Sequence, residues 1–158
     1  MYLINLIIPG VILLPNLIFF WVTPGGIKEQ WEDEHPTFLT IAEWAGRIGI
    51  ILSPLFTPLQ IESVGEDMAA LVMAMFLIIY YLGWIRYFAY QMEYNYLVAP
   101  FLGIPMPLAI SPVFYFLFAS YPLHSIPLLI STIIFGISHL WISRNNYNKV
   151  KEERLEEG

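Results

Sequence analysis

The chain reads as an all-α, polytopic integral membrane protein, a bundle of five transmembrane helices, and three observations predict this. Of its 158 residues, 58% are hydrophobic and only 13% charged, whereas a soluble domain is nearer half apolar and a quarter charged. Five spans of ~20 residues would take up roughly 100 residues and leave only short loops. All seven Lys and Arg residues (Lys28, Arg47, Arg86, Arg144, Lys149, Lys151 and Arg154) then fall at, or just inside, one face. The opposite face holds only Glu62, Glu66, Asp67 and His124. Loops rich in Lys and Arg stay cytoplasmic, so the expected topology is multi-pass with the N-terminus outside and the C-terminus in the cytosol.

The first span is expected over about 2–22. It lacks the positive leader and the small-residue cleavage site of a signal peptide, so it is read as a retained span. It breaks at Thr23-Pro24-Gly25-Gly26, and a charged stretch follows from Lys28 to Thr37. The second span covers about 38–61, because it must end before Glu62. The third covers about 68–90, opened by Ser63, Glu66 and Asp67, which suit a helix N-terminus. Residues 97–142 carry only His124 and His139 as ionisable groups and are twice too long for one crossing. They must fold back at Tyr121-Pro122-Leu123-His124-Ser125, giving spans over about 107–121 and 126–143. Residues 1–143 thus form the transmembrane domain, and 144–158 a charged, helical cytoplasmic tail.

Two segments fit this scheme less simply. Ala99 to Pro107 is apolar but too rich in proline for a regular helix, which suits an interfacial loop or backbone lining a wet cavity. Ser53-Pro54-Leu55-Phe56 recurs as Ser111-Pro112-Val113-Phe114, and Trp84-Ile85-Arg86 echoes Trp141-Ile142-Ser143-Arg144. Such words arise by chance, but they would also fit one helix followed by two parallel-repeat hairpins.

Candidate functional residues follow from depth. After Arg47 the second span has too few uncharged residues to cross the hydrocarbon, so Glu43 and Arg47 are drawn inside by one or two turns. Four residues apart, they share a helix face and can pair. Intramembrane ions are costly and usually mark a functional interior, although snorkelling to the interface is the plain alternative. Arg86 lies at the inner end of the third span, where snorkelling accounts for it unless it faces Glu43 or Arg47. His139 lies a turn or so inside the fifth span, and Asn16 follows Pro15 in the first. Each has a bland reading, a packing histidine and a cap on proline-freed backbone. Yet Asn16, Glu43, Arg47, Arg86 and His139 come from four spans at similar depth, which predicts one ligand-binding pocket in the cytoplasmic half. Two guanidinium groups would favour an anionic or carboxylate-bearing ligand. Pro54, Pro58, Pro105 and Pro112 would act there as hinges or open backbone.

Other chemistry is disfavoured. The net charge of -6 and the lack of a basic stripe argue against nucleic acid. Without Cys there is no disulfide or thiolate site. The adjacent acids of Glu32-Asp33-Glu34-His35 point around the chain rather than converging, so no metal and no cofactor is expected. No catalytic signature is recognisable. The many Trp and Tyr residues, among them Trp44, Trp84, Tyr87, Tyr90 and Trp141, read mainly as an interfacial belt. In size, span number and aromatic content the chain resembles the tryptophan-rich sensory protein family, whose members bind porphyrins and sterols. It departs from that family in lacking the Trp-Pro-rich first loop, so no site residue is carried over.

The expected function is binding or moving a small anionic or amphipathic molecule. In that role Arg47 and Arg86 hold charge, Glu43 orients Arg47, and His139 adds a pH-sensitive contact. The alternatives are a membrane-embedded lipid-modifying enzyme, with Glu43 or His139 as base, or a structural or accessory subunit of a membrane complex. Membrane lipid is an expected partner in every case, with a homo-oligomer or a partner membrane protein as further options.

Overall fold

A computed structural model describes residues 1–21, 36–90, 92 and 95–156. The break at 23–26, the charged stretch from Lys28 and the Glu32–His35 cluster lie outside the described residues. The described residues are mainly helical, with one isolated bridge between Phe101 and Ile104 as the extended element among them. The helices are α1 (Ile7–Trp21), preceded by a tight turn at Leu3–Leu6, α2 (Thr37–Leu52), α3 (Val64–Ala89), α4 (Asn95–Val98), α5 (Pro107–Ala119) and α6 (Ile126–Glu156). Among the described residues, the segments Thr37–Leu55, Val64–Ala89 and Ile126–Glu152 are long and apolar enough to cross a membrane. Leu3–Leu17 and Pro107–Ala119 are shorter apolar helices.

The second apolar stretch ends earlier than its composition suggests. Its helix gives way at Ser53 to a tight turn through Leu55. Pro54 fits the opening of that turn, where its missing N–H is not needed, and Pro58 cannot extend the ladder. The helix end is instead satisfied by Asn5, whose side-chain amide donates to the carbonyls of Thr57 at 2.8 Å and Pro54 at 3.3 Å. The Tyr2 N–H donates to the Leu55 carbonyl, which brings the chain start to the end of α2.

Capping fixes the start of α3. Ser63 Oγ accepts from the Glu66 N–H, and Glu66 Oε2 accepts from the backbone of Ser63 at 2.8 Å and of Glu62 at 2.7 Å, a capping box. The other oxygen of Glu66 meets His124 Nε2 at 2.7 Å. The start of α3 is thereby tied to the turn between α5 and α6, which closes through Ser125 N–H to the Ser120 carbonyl.

Helix pairing follows small residues. α2 packs on α6, α3 on α5, and α5 on α6, so the four form a row, with α1 against α3 and α5. Gly46 lies against Phe135, and Gly49 against Ser131. Gly83 faces Leu108, and Gly136 faces Val113. Stripes of small residues are what allow apolar helices to approach closely. Gly46 to Phe135, Gly49 to Ser131 and Glu43 to His139 fix one antiparallel register for α2 and α6. Ser53, Thr132 and Ser138 are buried near this seam and donate to carbonyls of their own helices.

The bundle therefore has an acidic end and a basic end. The first holds the chain start, Glu62, Glu66, Asp67 and His124; the second holds all the described Lys and Arg residues beyond Arg47, among them Arg86, Arg144, Lys149 and Lys151, together with acids of the α6 tail such as Glu152. The tail is no separate unit, because α6 continues unbroken past Arg144 and buries Val150. The repeated Ser-Pro words take different roles, Ser53-Pro54 ending α2 and Ser111-Pro112 lying inside α5. The Ala99–Pro107 loop contains a tight turn, Phe101 and Ile104 exchanging two backbone hydrogen bonds across Leu102 and Gly103, both at positive φ.

Candidate functional site

Glu43, Arg47 and His139 meet between α2 and α6. One turn of α2 separates the acid from the guanidinium, and the close seam at Gly46 and Gly49 brings α6 to both. Glu43 Oε1 accepts from Arg47 Nη2 at 2.5 Å and lies 2.7 Å from His139 Nδ1. An ionised carboxylate has no proton to give, so the imidazole donates from Nδ1, and in its neutral form Nε2 carries the lone pair. The His139 ring stacks on Phe135 with centroids 4.7 Å apart. The Arg47 guanidinium carbon sits 5.5 Å from the Trp44 ring centre and 5.9 Å from that of Phe135.

Burial divides the three groups by role. The side chains of Glu43 and His139 are 12% and 20% exposed, whereas that of Arg47 is 42% exposed. A guanidinium has five N–H donors, and among the described residues its hydrogen bond goes to Glu43. Arg47 is therefore anchored at one corner and open at the others. Counting along α2 from Thr37, Glu43 lies about 9 Å and Arg47 about 15 Å into the helix.

The remaining sequence candidates are placed differently. Asn16 joins a second polar cluster on α1 and α3, donating to the Tyr80 hydroxyl at 3.1 Å and to the Ile12 carbonyl at 3.3 Å. Tyr80 donates in turn to the Ile12 carbonyl at 3.1 Å. Tyr80 is the residue that sequence reasoning missed; it is 2% exposed and hidden in a run of aromatics with no polar signal of its own. Trp84 and Tyr87, read from the sequence as interfacial, are likewise buried and stack edge-on at 5.5 Å.

Arg86 does not join the others. Its Nη1 donates to the Pro100 carbonyl at 2.9 Å, and its guanidinium lies 5.0 Å and 5.1 Å from the ring centres of Tyr96 and Phe101. It pins the proline-rich loop onto the end of α3. Arg86→Ala is expected to raise hydrogen exchange across residues 95–106 about tenfold, with little change in α2 or α6, as loss of roughly 1.5 kcal/mol of charged hydrogen bonding implies. Amide exchange read by mass spectrometry checks this.

Elsewhere, an open groove of about 490 Å³ runs between α3 and α5 at the acidic end, lined mainly by Met68, Ala69, Val72, Leu117, Phe118 and Leu129. Its lining is mostly apolar, with Ser120 and Tyr121 adding hydroxyl groups. Among the described residues no group of His, Asp and Glu has the geometry of a metal site. Comparison with family models, with characterised proteins and with solved structures gives no match to this chain.

Proposed function

We propose that this is a five-crossing membrane protein, with its N-terminus outside and its C-terminus in the cytosol. It binds or moves a small anionic or amphipathic molecule at Arg47, Glu43 and His139. The observation that carries the reading is the meeting of an acid, a guanidinium and an imidazole from two helices, well inside a segment apolar enough to span. Ions at such depth are expensive and are kept where they meet a substrate or one another. Glu43 fixes the orientation of Arg47, and the open N–H groups of Arg47 then form the fork that suits a carboxylate. The hydroxyl of Tyr80, which accepts from Asn16, is a second polar group inside the bundle.

The topology is supported by the two ends of the bundle. α1 starts at the acidic end, and α5 turns back there into α6, so each short apolar helix is set between the same two ends as the long ones. An odd number of crossings puts the termini on opposite sides, with the basic end in the cytosol. The chain has no Cys, so single cysteines can be labelled cleanly. In right-side-out vesicles, Glu62→Cys should react with a membrane-impermeant maleimide and Lys151→Cys should not.

Hexanoate, a singly charged amphiphile, is a suitable probe of the site. Purified full-length protein in micelles is expected to bind it, Arg47→Gln to weaken that binding at least tenfold, and Arg86→Gln to leave it unchanged. A charge-assisted pair of hydrogen bonds is worth roughly 1.5–3 kcal/mol, which sets the size of the loss. Equal affinity in wild type and Arg47→Gln would end the proposal.

A further inference from the structure

We infer that each monoanion held by Arg47 enters with one proton, taken up on His139, so that the site loads an anion and a proton together. This rests on the anion-binding reading above and adds the coupled proton to it. The arithmetic of charge carries it. Arg47 is positive and the Glu43 carboxylate negative, so wherever the imidazole is neutral the three groups sum to zero while the site is empty. Adding one anion leaves a net negative charge roughly halfway along an apolar helix, where an uncompensated ion is costly. A proton from water removes that excess.

The geometry names the atom that receives it. His139 Nδ1 is engaged with Glu43 at 2.7 Å, so Nε2 carries the free lone pair. An imidazolium there would keep the carboxylate contact and lie over the face of Phe135, its ring centre 4.7 Å away, an arrangement that favours a cation. The titratable and charged groups facing the site from the other elements do not compete. α2 brings Glu43 and Arg47 themselves. α5 brings only Tyr115, α4 only Tyr96, and α3 brings Tyr80, Tyr81, Tyr87 and Arg86, the last held at Pro100. α1 brings no ionisable group in its described residues, and α6 itself adds Arg144 and Lys149 beyond the site. The other described imidazole, His124, belongs to the far end, fifteen positions earlier in the chain and about 22 Å away along α6. A dianion would need a second proton that no neighbouring group among the described residues provides, so the preferred ligand class is a monocarboxylate.

The test is hexanoate binding to full-length protein in micelles, measured by calorimetry as a function of pH and in two buffers of different ionisation enthalpy. Hexanoate stays ionised throughout, and imidazoles are ordinarily neutral above about pH 7.5. One coupled proton then requires Kd to rise about tenfold for each pH unit above that point, with close to one proton taken up per hexanoate. His139→Gln should bind with an affinity that no longer varies with pH, and succinate should bind far more weakly than hexanoate. Wild-type binding that is independent of pH and of buffer would overturn the coupling while leaving the anion site standing. Absence of hexanoate binding at every pH would remove the anion site and the coupling with it.

Discussion

Glu43→Gln is expected to be the most damaging single substitution, lowering stability by about 3 kcal/mol, because it removes the negative partner of a partly buried ion pair. The amide keeps the shape of the side chain, so packing is not the cause. Arg47 and His139 keep at most a neutral amide oxygen in place of the carboxylate they share, so the guanidinium must find water or remain uncompensated. The open side of Arg47, 42% exposed, limits the loss, since a guanidinium that can reach a polar boundary recovers part of its solvation. Replacing both members, as Glu43→Leu with Arg47→Met, removes the charges as well as the pairing and should be milder than Glu43→Gln alone. Denaturant titration in micelles, followed by helix content, measures both. A double variant less stable than the single one would mean that the pair is a net stabiliser rather than a functional expense.

The same two charges explain why this part of the site was legible. Charged residues inside an apolar run are conspicuous in a sequence, and a spacing of four sets Glu43 and Arg47 on one face of any helix that contains them. His139 was legible for the same reason, as an ionisable residue in an apolar stretch. Tyr80 was not, because a tyrosine among Phe76, Tyr81, Trp84 and Tyr87 looks like belt or core until its hydroxyl is seen to meet Asn16. Depth read from the sequence grouped Arg86 with the others, but it meets a loop whose path depends on Pro100 and on positive φ at Leu102 and Gly103. At the level of fold, the run lengths and turn chemistry gave the order of helices and the fold-back at Ser120–Ser125. They did not give the partners. α3 is apolar on nearly every side, so its composition cannot tell whether it lies beside α2 or α5. That choice is made by shape, through glycines whose role shows only when the facing helix is known.

Gly46→Ala carries the second large effect, through shape rather than charge. A Cβ at Gly46 would lie 2.7 Å from both the backbone nitrogen and the Cβ of Phe135 and 2.8 Å from its Cα. Those atoms belong to a helix and cannot rotate away, so α2 and α6 must separate by about 1 Å to restore ordinary contact near 3.5–4.0 Å. Alanine favours a helix over glycine by up to about 1 kcal/mol, while overpacking of this kind costs about 1–3 kcal/mol, so the net is destabilising. The same substitution at Gly10 in α1, where a Cβ would meet nothing within 4 Å, should instead be neutral or stabilising. The pair therefore separates packing from propensity. Separation at Gly46 also reaches the site, because Glu43 and His139 sit one turn further along the same seam at 2.7 Å, and a hydrogen bond stretched by 1 Å is largely lost. Gly46→Ala should thus weaken hexanoate binding along with stability, whereas Gly10→Ala should leave both intact. Binding that survives in Gly46→Ala at wild-type strength would show that Arg47 acts without the α2–α6 contact.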